Sequence, residues 1–286
     1  MPELPEVHAL VADLGARLAG HTVQRLDLVS FAALKTFDPP VTALDGKPVT
    51  GVTRHGKFLD VGVGDLHLVF HLARAGWVRW RADTPAPAKG AGRSAMAARL
   101  VLDDGSGFDL TEAGSKKSLA VYVVRDPRDV PGVARLGPDP LDPAFTLASF
   151  REILAAAGRA RIKGVLRDQS RIAGIGNAYS DEILHVARMS PFTSAAMTPE
   201  ESATLFEAVQ QTLRAAIERA EGHPASELKA EKKANLRVHG RTGEPCPVCG
   251  DTVRQVIYSD STFQYCPTCQ TGGKVLADRV LSRLVK

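Results

Sequence analysis

The chain has 286 residues, 44% hydrophobic and 24% charged, an ordinary globular balance that excludes a disordered protein and leaves room for two domains with cores of their own. Its apolar runs are short and broken by charge, which excludes a membrane-spanning helix, and two glutamates stand in the first six residues where a secretory leader would be basic; the expected location is cytoplasmic. A net charge of +4 and a pI of about 8.9 permit a polyanionic partner without demanding one.

From Glu6 to Leu18, the residues Val7, Leu10, Val11, Leu14 and Leu18 recur at helical spacing and predict an amphipathic helix. After His21 the period shortens. Thr22–Val29, Phe58–Val63, Leu66–Phe70, Trp77–Arg81, Arg99–Leu102 and Leu119–Val124 alternate or run apolar over strand lengths, with turns at Gly64-Asp65 and Asp104-Gly105, and suggest an antiparallel sandwich. Thr84–Ser94 reads as a loop. A proline-rich connector, Asp126–Pro143, leads into a helical half comprising Leu147–Ala157, Asn177–Ala187 and Pro199–Ala220, the last with Thr198 as its N-cap and Pro199 in its first turn. A further boundary falls near Gly240, followed by a cysteine segment and a short C-terminal helix carrying Val275, Leu276, Val280 and Leu281. There is no internal repeat.

All four cysteines lie in that last segment, spaced Cys246-x-x-Cys249 and Cys266-x-x-Cys269. In an intracellular chain such clustering argues for metal over disulfides, and each pair can place two thiolates on one turn at tetrahedral separation, so one structural Zn2+ with four cysteine ligands is expected. Gly250 suits the tight knuckle after the second thiolate. Such a ribbon staples a fold and by itself assigns no function.

The first residues, Met1-Pro2-Glu3-Leu4-Pro5-Glu6-Val7, carry a chemical possibility. A small second residue lets Met1 be removed, which leaves a secondary amine on Pro2 whose pKa of about 8 keeps an appreciable fraction neutral. Such an amine can attack a sugar C1′ and form an iminium, and Glu3 stands beside it to exchange protons with the ring oxygen or a departing base. Taken alone, Pro2 and Glu3 read as a frayed tail before a helix.

The motif at the start, followed in order by Arg54-His55-Gly56-Lys57-Phe58-Leu59, Ile162-Lys163-Gly164-Val165-Leu166, Gly174-Ile175-Gly176-Asn177-Ala178-Tyr179 and Val238-His239-Gly240-Arg241-Thr242-Gly243-Glu244-Pro245-Cys246, resembles the Fpg/Nei family of bifunctional DNA glycosylases over residues 2–270. The resemblance implies a multidomain α and β protein: an N-terminal antiparallel β-sandwich with an N-terminal helix (residues 1–130), a linker (131–145), a helix–two-turn–helix DNA-binding domain (146–237), a zinc hairpin (238–272) and a C-terminal helix (273–286). It implies a monomer that binds double-stranded DNA containing damaged or abasic sites between its halves, with no membrane partner. A base in a duplex has to be turned out to be reached. Excision would run through Pro2 and Glu3, followed by strand cleavage, with Lys57 reaching the backbone and sugar. In physical terms the Gly-x-Gly-Asn turn exposes backbone N–H groups at a positive helix end, a phosphate seat to which Gly176, Lys163 and Asn177 would contribute, and Arg161 belongs to a basic run (Arg159, Arg161, Lys163, Arg167, Arg171) suited to a DNA backbone.

Three departures set this chain apart. Where the family has methionine in a His-Leu-x-Met-x-Gly context, His71-Leu72-Ala73-Arg74-Ala75-Gly76 supplies Arg74, whose guanidinium can stack on bases and is expected to fill the vacated stack. The second wedge segment is replaced by Thr111–Lys117, which has no aromatic residue. In the zinc hairpin, Asp260-Ser261-Thr262-Phe263-Gln264-Tyr265-Cys266 has an acidic residue where the family has arginine, leaving Arg254 or Lys274 as substitutes and δ-elimination in question. Gly222–Arg237 is short for the loop that caps 8-oxoguanine, which tilts the expected substrates towards oxidised pyrimidines or formamidopyrimidines. Two other readings stand beside this one: a paralogue that binds damaged or abasic DNA and excises little, and a zinc-ribbon scaffold that would leave the N-terminal motif unexplained.

Overall fold

Helix α1 (Leu4–Leu18) begins two residues before the apolar periodicity requires, because Glu3 and Glu6 form a reciprocal capping box and Pro5 occupies the first turn. Its buried face holds Leu4, Val7, Leu10, Leu14 and Leu18. The computed structural model describes residues 1–84, 95–258 and 261–277. The expected loop beyond Thr84, Asp260, and Val280 and Leu281 of the expected C-terminal helix lie outside them.

Eight strands follow α1: β1 (Val23–Leu28), β2 (Val49–His55), β3 (Phe58–Val63), β4 (Leu66–His71), β5 (Gly76–Arg81), β6 (Met96–Leu102), β7 (Gly107–Glu112) and β8 (Ala120–Val124). They form two four-stranded antiparallel sheets, ordered β1-β6-β7-β5 and β2-β3-β4-β8. Their apolar faces share a core containing Leu59, Val61, Phe70, Leu100, Phe108 and Leu110, on which α1 also packs. This is the expected sandwich. Strands β2 and β7 escape the sequence reading for a common reason, since each mixes charge into its alternation. In β7 the charge is internal: Asp109 is buried and takes Arg99 at 2.5 Å and Arg81 at 2.9 Å. The connector after β8 is partly ordered, with a 3-10 turn at Pro127–Asp129 and helix α2 (Pro131–Ala134).

The chain divides into two compact units. The first takes Met1–Arg135 and also Ala220–Leu228, which returns to it from far along the sequence. Ala220, Ala225 and Leu228 join the sandwich core, and the Trp77 indole N–H donates to the Ala225 carbonyl at 2.8 Å.

The second unit contains α3 (Leu147–Ala157), α4 (Ile162–Arg167), α5 (Asn177–Val186), α6 (Pro199–Ala220) up to Arg219, α7 (Leu228–Asn235) from Lys229, an antiparallel hairpin of β9 (Arg254–Tyr258) and β10 (Ser261–Tyr265), and α8 (Pro267–Thr271). The Thr198 hydroxyl accepts the Glu201 N–H at 3.2 Å and Glu201 accepts the Thr198 N–H at 2.9 Å, so the expected cap of α6 forms as a capping box. A separate core gathers Phe145, Phe150, Leu166, Ile183, Leu205 and Leu213. Lys274–Ala277, the described start of the expected C-terminal helix, carry no regular structure; the Leu276 N–H instead donates to the Tyr265 hydroxyl at 2.8 Å. No helix among the described residues is long and apolar enough to cross a membrane.

Candidate functional site

In the first unit the predicted nucleophile sits at the head of α1. Met1 is exposed, and Pro2 and Glu3 directly behind it are buried. The Glu3 N–H donates to Glu6 Oε2 at 2.8 Å, so the segment is a fixed helix start and not a frayed tail. Helix α1 packs on β2 and β3, and the turn between those two strands carries Lys57. His55 pairs with Phe58, which leaves a two-residue hairpin, and Gly56 takes φ 54° at the first central position as a type II′ turn demands. Lys57 is 7% exposed. The Pro2-Glu3 pair heads the helix and Lys57 sits in the turn between the two strands on which that helix packs.

His71, at the end of β4, has a role that sequence reading gives only as part of a turn motif. Its ring lies 4.7 Å from that of Phe58. Burial and the nearby Lys57 ammonium push its pKa down to about 4, so the imidazole is neutral. Nδ1 accepts the Ala73 N–H at 3.2 Å, which leaves the ring proton on Nε2 as a donor. The next turn presents Arg74. Ala73 takes a strained φ of 50°, and Gly76 donates to the Leu72 carbonyl at 2.8 Å in a space where a Cβ would meet that oxygen at 2.0 Å. Only glycine closes this turn, and Arg74 stands exposed on it. The segment Thr111–Lys117 wraps a buried carboxylate: Glu112 accepts the N–H groups of Ser118 at 2.8 Å and Leu119 at 3.1 Å, and the Lys117 ammonium bonds the Glu112 carbonyl.

In the second unit the Gly-x-Gly-Asn turn opens α5, with Gly176 buried in extended backbone as its N-cap. Gln169, which no sequence signal marks, organises the approach: its amide donates to the carbonyls of Arg167 at 2.8 Å and Ile175 at 2.6 Å and accepts the Gly174 N–H at 3.0 Å. The two expected side-chain donors to phosphate are turned inward. Lys163 is 1% exposed, and its three ammonium protons face Asp181 Oδ1 at 2.6 Å, Ser180 Oγ at 2.8 Å and the Asn177 carbonyl at 3.2 Å. Asn177 Nδ2 donates to the Thr262 carbonyl of β10 at 2.9 Å. Lys163 therefore holds the turn from within, and Asn177 ties it to the cysteine hairpin. Of the basic run, Arg171 is paired with Asp168, and Arg161, exposed at the start of α4, lies 4.4 Å over the Phe192 ring. Glu182 receives the backbone N–H groups of Arg237, Val238 and His239 at 2.7, 3.0 and 2.9 Å, and burial holds its carboxyl above the usual range despite those bonds.

The four cysteine sulfurs lie within 4.8 Å of one another. Cys246 and Cys269 are 3.9 Å apart and Cys249 and Cys266 3.4 Å, distances that match the edge of about 3.8 Å expected for a tetrahedron of zinc–thiolate bonds and exceed any disulfide. Gly250 donates to the Cys246 carbonyl at 2.9 Å to close the knuckle. Burial pushes the thiols of Cys266 (to about 11) and Cys269 upward, so these two need a cation beside them to become thiolates. His185 Nε2 stands 3.3 Å from Cys246 Sγ, a contact without any sequence signal. Arg254 and Lys274 are both exposed.

Residues 1–116 match the formamidopyrimidine-DNA glycosylase N-terminal domain, and residues 136–227 match the H2TH domain of the same glycosylase. The chain is 33% identical to the formamidopyrimidine-DNA glycosylase of Symbiobacterium thermophilum, over 94% of this chain and 89% of that one. It is 57% identical over 153 residues, 53% of this chain and 94% of the other, to an uncharacterised formamidopyrimidine-DNA glycosylase-like protein of Mycobacterium tuberculosis. Among solved structures it resembles the MutM (Fpg) protein of Thermus thermophilus, with a TM-score of 0.79 and 32% identity over 96% of this chain and 100% of that one. The Lactococcus lactis enzyme bound to DNA containing an AP site gives a TM-score of 0.82 and 26% identity, over 94% and 99% of the two chains.

Proposed function

The chain belongs to the formamidopyrimidine-DNA glycosylase family, and from that premise we propose that it excises oxidised bases from DNA and then cuts the strand at the abasic site. The observation that carries this reading is the capped start of α1, where Pro2 and Glu3 are buried at the head of a helix that packs on the two strands flanking Lys57. Once Met1 is removed, the Pro2 nitrogen attacks C1′ as the N-glycosidic bond breaks, the base leaves with a proton, and opening of the sugar ring gives an iminium. Glu3 exchanges protons with the ring oxygen. Loss of a proton from C2′ then expels the 3′ phosphate, and hydrolysis of the iminium frees Pro2. Lys57 and the exposed Arg74 serve the sugar-phosphate and the vacated stack, Arg161 and the Gly176 turn serve the backbone, and Cys246, Cys249, Cys266 and Cys269 hold one Zn2+ as a structural ion.

The inward ties of Lys163 and Asn177 support a bracing role for them, with the phosphate seat made by the backbone of the turn they hold. Borohydride treatment of the protein with an abasic-site duplex tests the chemistry. A covalent adduct formed by the Pro2-initiated protein and absent in Pro2→Ala, or when Met1 is retained, is the expected result. Tight duplex binding without any adduct would replace the enzyme by a damage-binding paralogue.

A further inference from the structure

The outer face of the sheet β2-β3-β4-β8 buries a carboxylate for which the chemistry above has no use. Asp60, in the middle of β3, is 3% exposed. Its Oδ2 lies 3.0 Å from His55 Nε2 on β2 and its Oδ1 lies 2.9 Å from His67 Nδ1 on β4, with the Thr53 hydroxyl at 3.4 Å. Burial pushes the Asp60 carboxyl up, and the two imidazoles more than offset that and hold it below the ordinary carboxylate range. Beside it on the same face is an apolar cluster of Val69, Val124, Val130 and Val133, with Phe58 and Tyr122 packed against it. A leucine at position 60 would extend that cluster without any desolvation cost, so the carboxylate calls for a geometric explanation.

The register supplies one. Asp60 stands opposite Thr53 and Val69, and the two histidines are its diagonal neighbours on the flanking strands. His55 is the last residue of β2, and Gly56 and Lys57 follow it directly. A slip of one residue between β2 and β3 would turn the side chains of the shifted strand to the opposite face and rebuild the two-residue turn that carries Lys57. Such slippage is resisted by a bridge anchored in three strands and ending on the residue that enters the turn.

We propose that Asp60 is a positioning residue for Lys57, acting through His55 and held in place by His67, an inference that rests on the reading of Lys57 given above. The bridge fixes where the Lys57 ammonium stands relative to the sugar and leaves the affinity for DNA to other residues.

The test is a double-mutant cycle on the full chain, with single-turnover borohydride trapping on an abasic duplex read beside duplex affinity and thermal melting. Asp60→Leu, which suits the neighbouring apolar cluster, is expected to slow trapping by about tenfold while Kd stays within about twofold. In a Lys57→Ala background the same change is expected to cost nothing further, a result that general loosening of the sheet would not give. Should Asp60→Leu fail to fold, His55→Ala removes a partly exposed ring and carries the same cycle. Trapping at the wild-type rate in the Asp60 variant, or an equal loss with Lys57 already removed, overturns the positioning role alone. Lys57→Ala trapping at the wild-type rate overturns the reading of Lys57 and this inference with it, and a wild-type chain that traps nothing overturns the iminium chemistry on which both depend.

Discussion

Lys163 and Asp181 form an ion pair at 2.6 Å from which solvent is excluded on both sides. The second Asp181 oxygen takes the His239 ring at 2.8 Å, so one carboxylate joins α4, α5 and the segment that leads into the cysteine hairpin. Removing one partner leaves the other charge buried without its nearest counter-ion. Lys163→Met is therefore expected to lower stability by about 3–5 kcal/mol, and the double variant Lys163→Met/Asp181→Leu by much less than the two single losses added. Urea titrations of the three proteins measure this. An unchanged midpoint with weakened duplex binding would instead return Lys163 to direct phosphate contact.

That pair marks where the sequence stops being legible. The Lys163 and Asn177 motifs point to the correct turn, because a Gly-x-Gly-Asn sequence before a helical period dictates local structure. The direction in which each side chain points depends on Asp181, Ser180 and Thr262, and nothing in local periodicity tells a lysine that faces an acid inside from one that faces a phosphate outside. The same limit hides Asp109 in β7 and the return of Ala220–Leu228 to the sandwich. Both depend on partners far along the chain, Arg81 and Arg99 in one case and Trp77 in the other. Elements set by a single repeating face, such as α1, β3, α3 and α6, are read from the sequence to within two residues at either end. The cysteine cluster is legible because its ligand spacing is itself local.

Zinc at that cluster predicts one ion per chain by elemental analysis, lost together with folding of the hairpin. Cys246→Ser is expected to release the ion and to disturb α5 as well, because His185 stands against Cys246 Sγ. Amide exchange over Asn177–Val186 and over the hairpin should accelerate together on chelation. Protection in α5 that survives removal of the ion would show that the His185 contact transmits nothing.

His71 makes stability depend on pH in a stated direction. Burial and the Lys57 ammonium hold its pKa at about 4 in the folded chain, below the ordinary histidine value of 6.5. The unfolded chain therefore binds a proton that the folded one refuses between those limits, so this contribution is complete above pH 6.5 and is lost as the pH falls towards 4. His71→Asn, which can still accept the Ala73 N–H, is expected to flatten the rise of unfolding free energy across that window. Ring-proton NMR gives a direct check: titration of His71 near the ordinary value would remove the neutral donor from the site.

The Trp77 indole ties the returning segment to the sheet through the Ala225 carbonyl, and its loss should be felt there first. Trp77→Phe keeps an aromatic ring in the core but strands the buried Ala225 carbonyl, a loss of about 1–3 kcal/mol. Because Ala220, Ala225 and Leu228 still bury apolar surface against the sandwich, the segment is expected to remain docked but to open more often, so that a protease cuts near Gly222–Pro224 well below the denaturant concentration of global unfolding. Cleavage there only when the whole chain unfolds would mean that the apolar contacts hold the segment unaided. The hydrogen bond from β5, three residues beyond Arg74, would then have no part in fixing it.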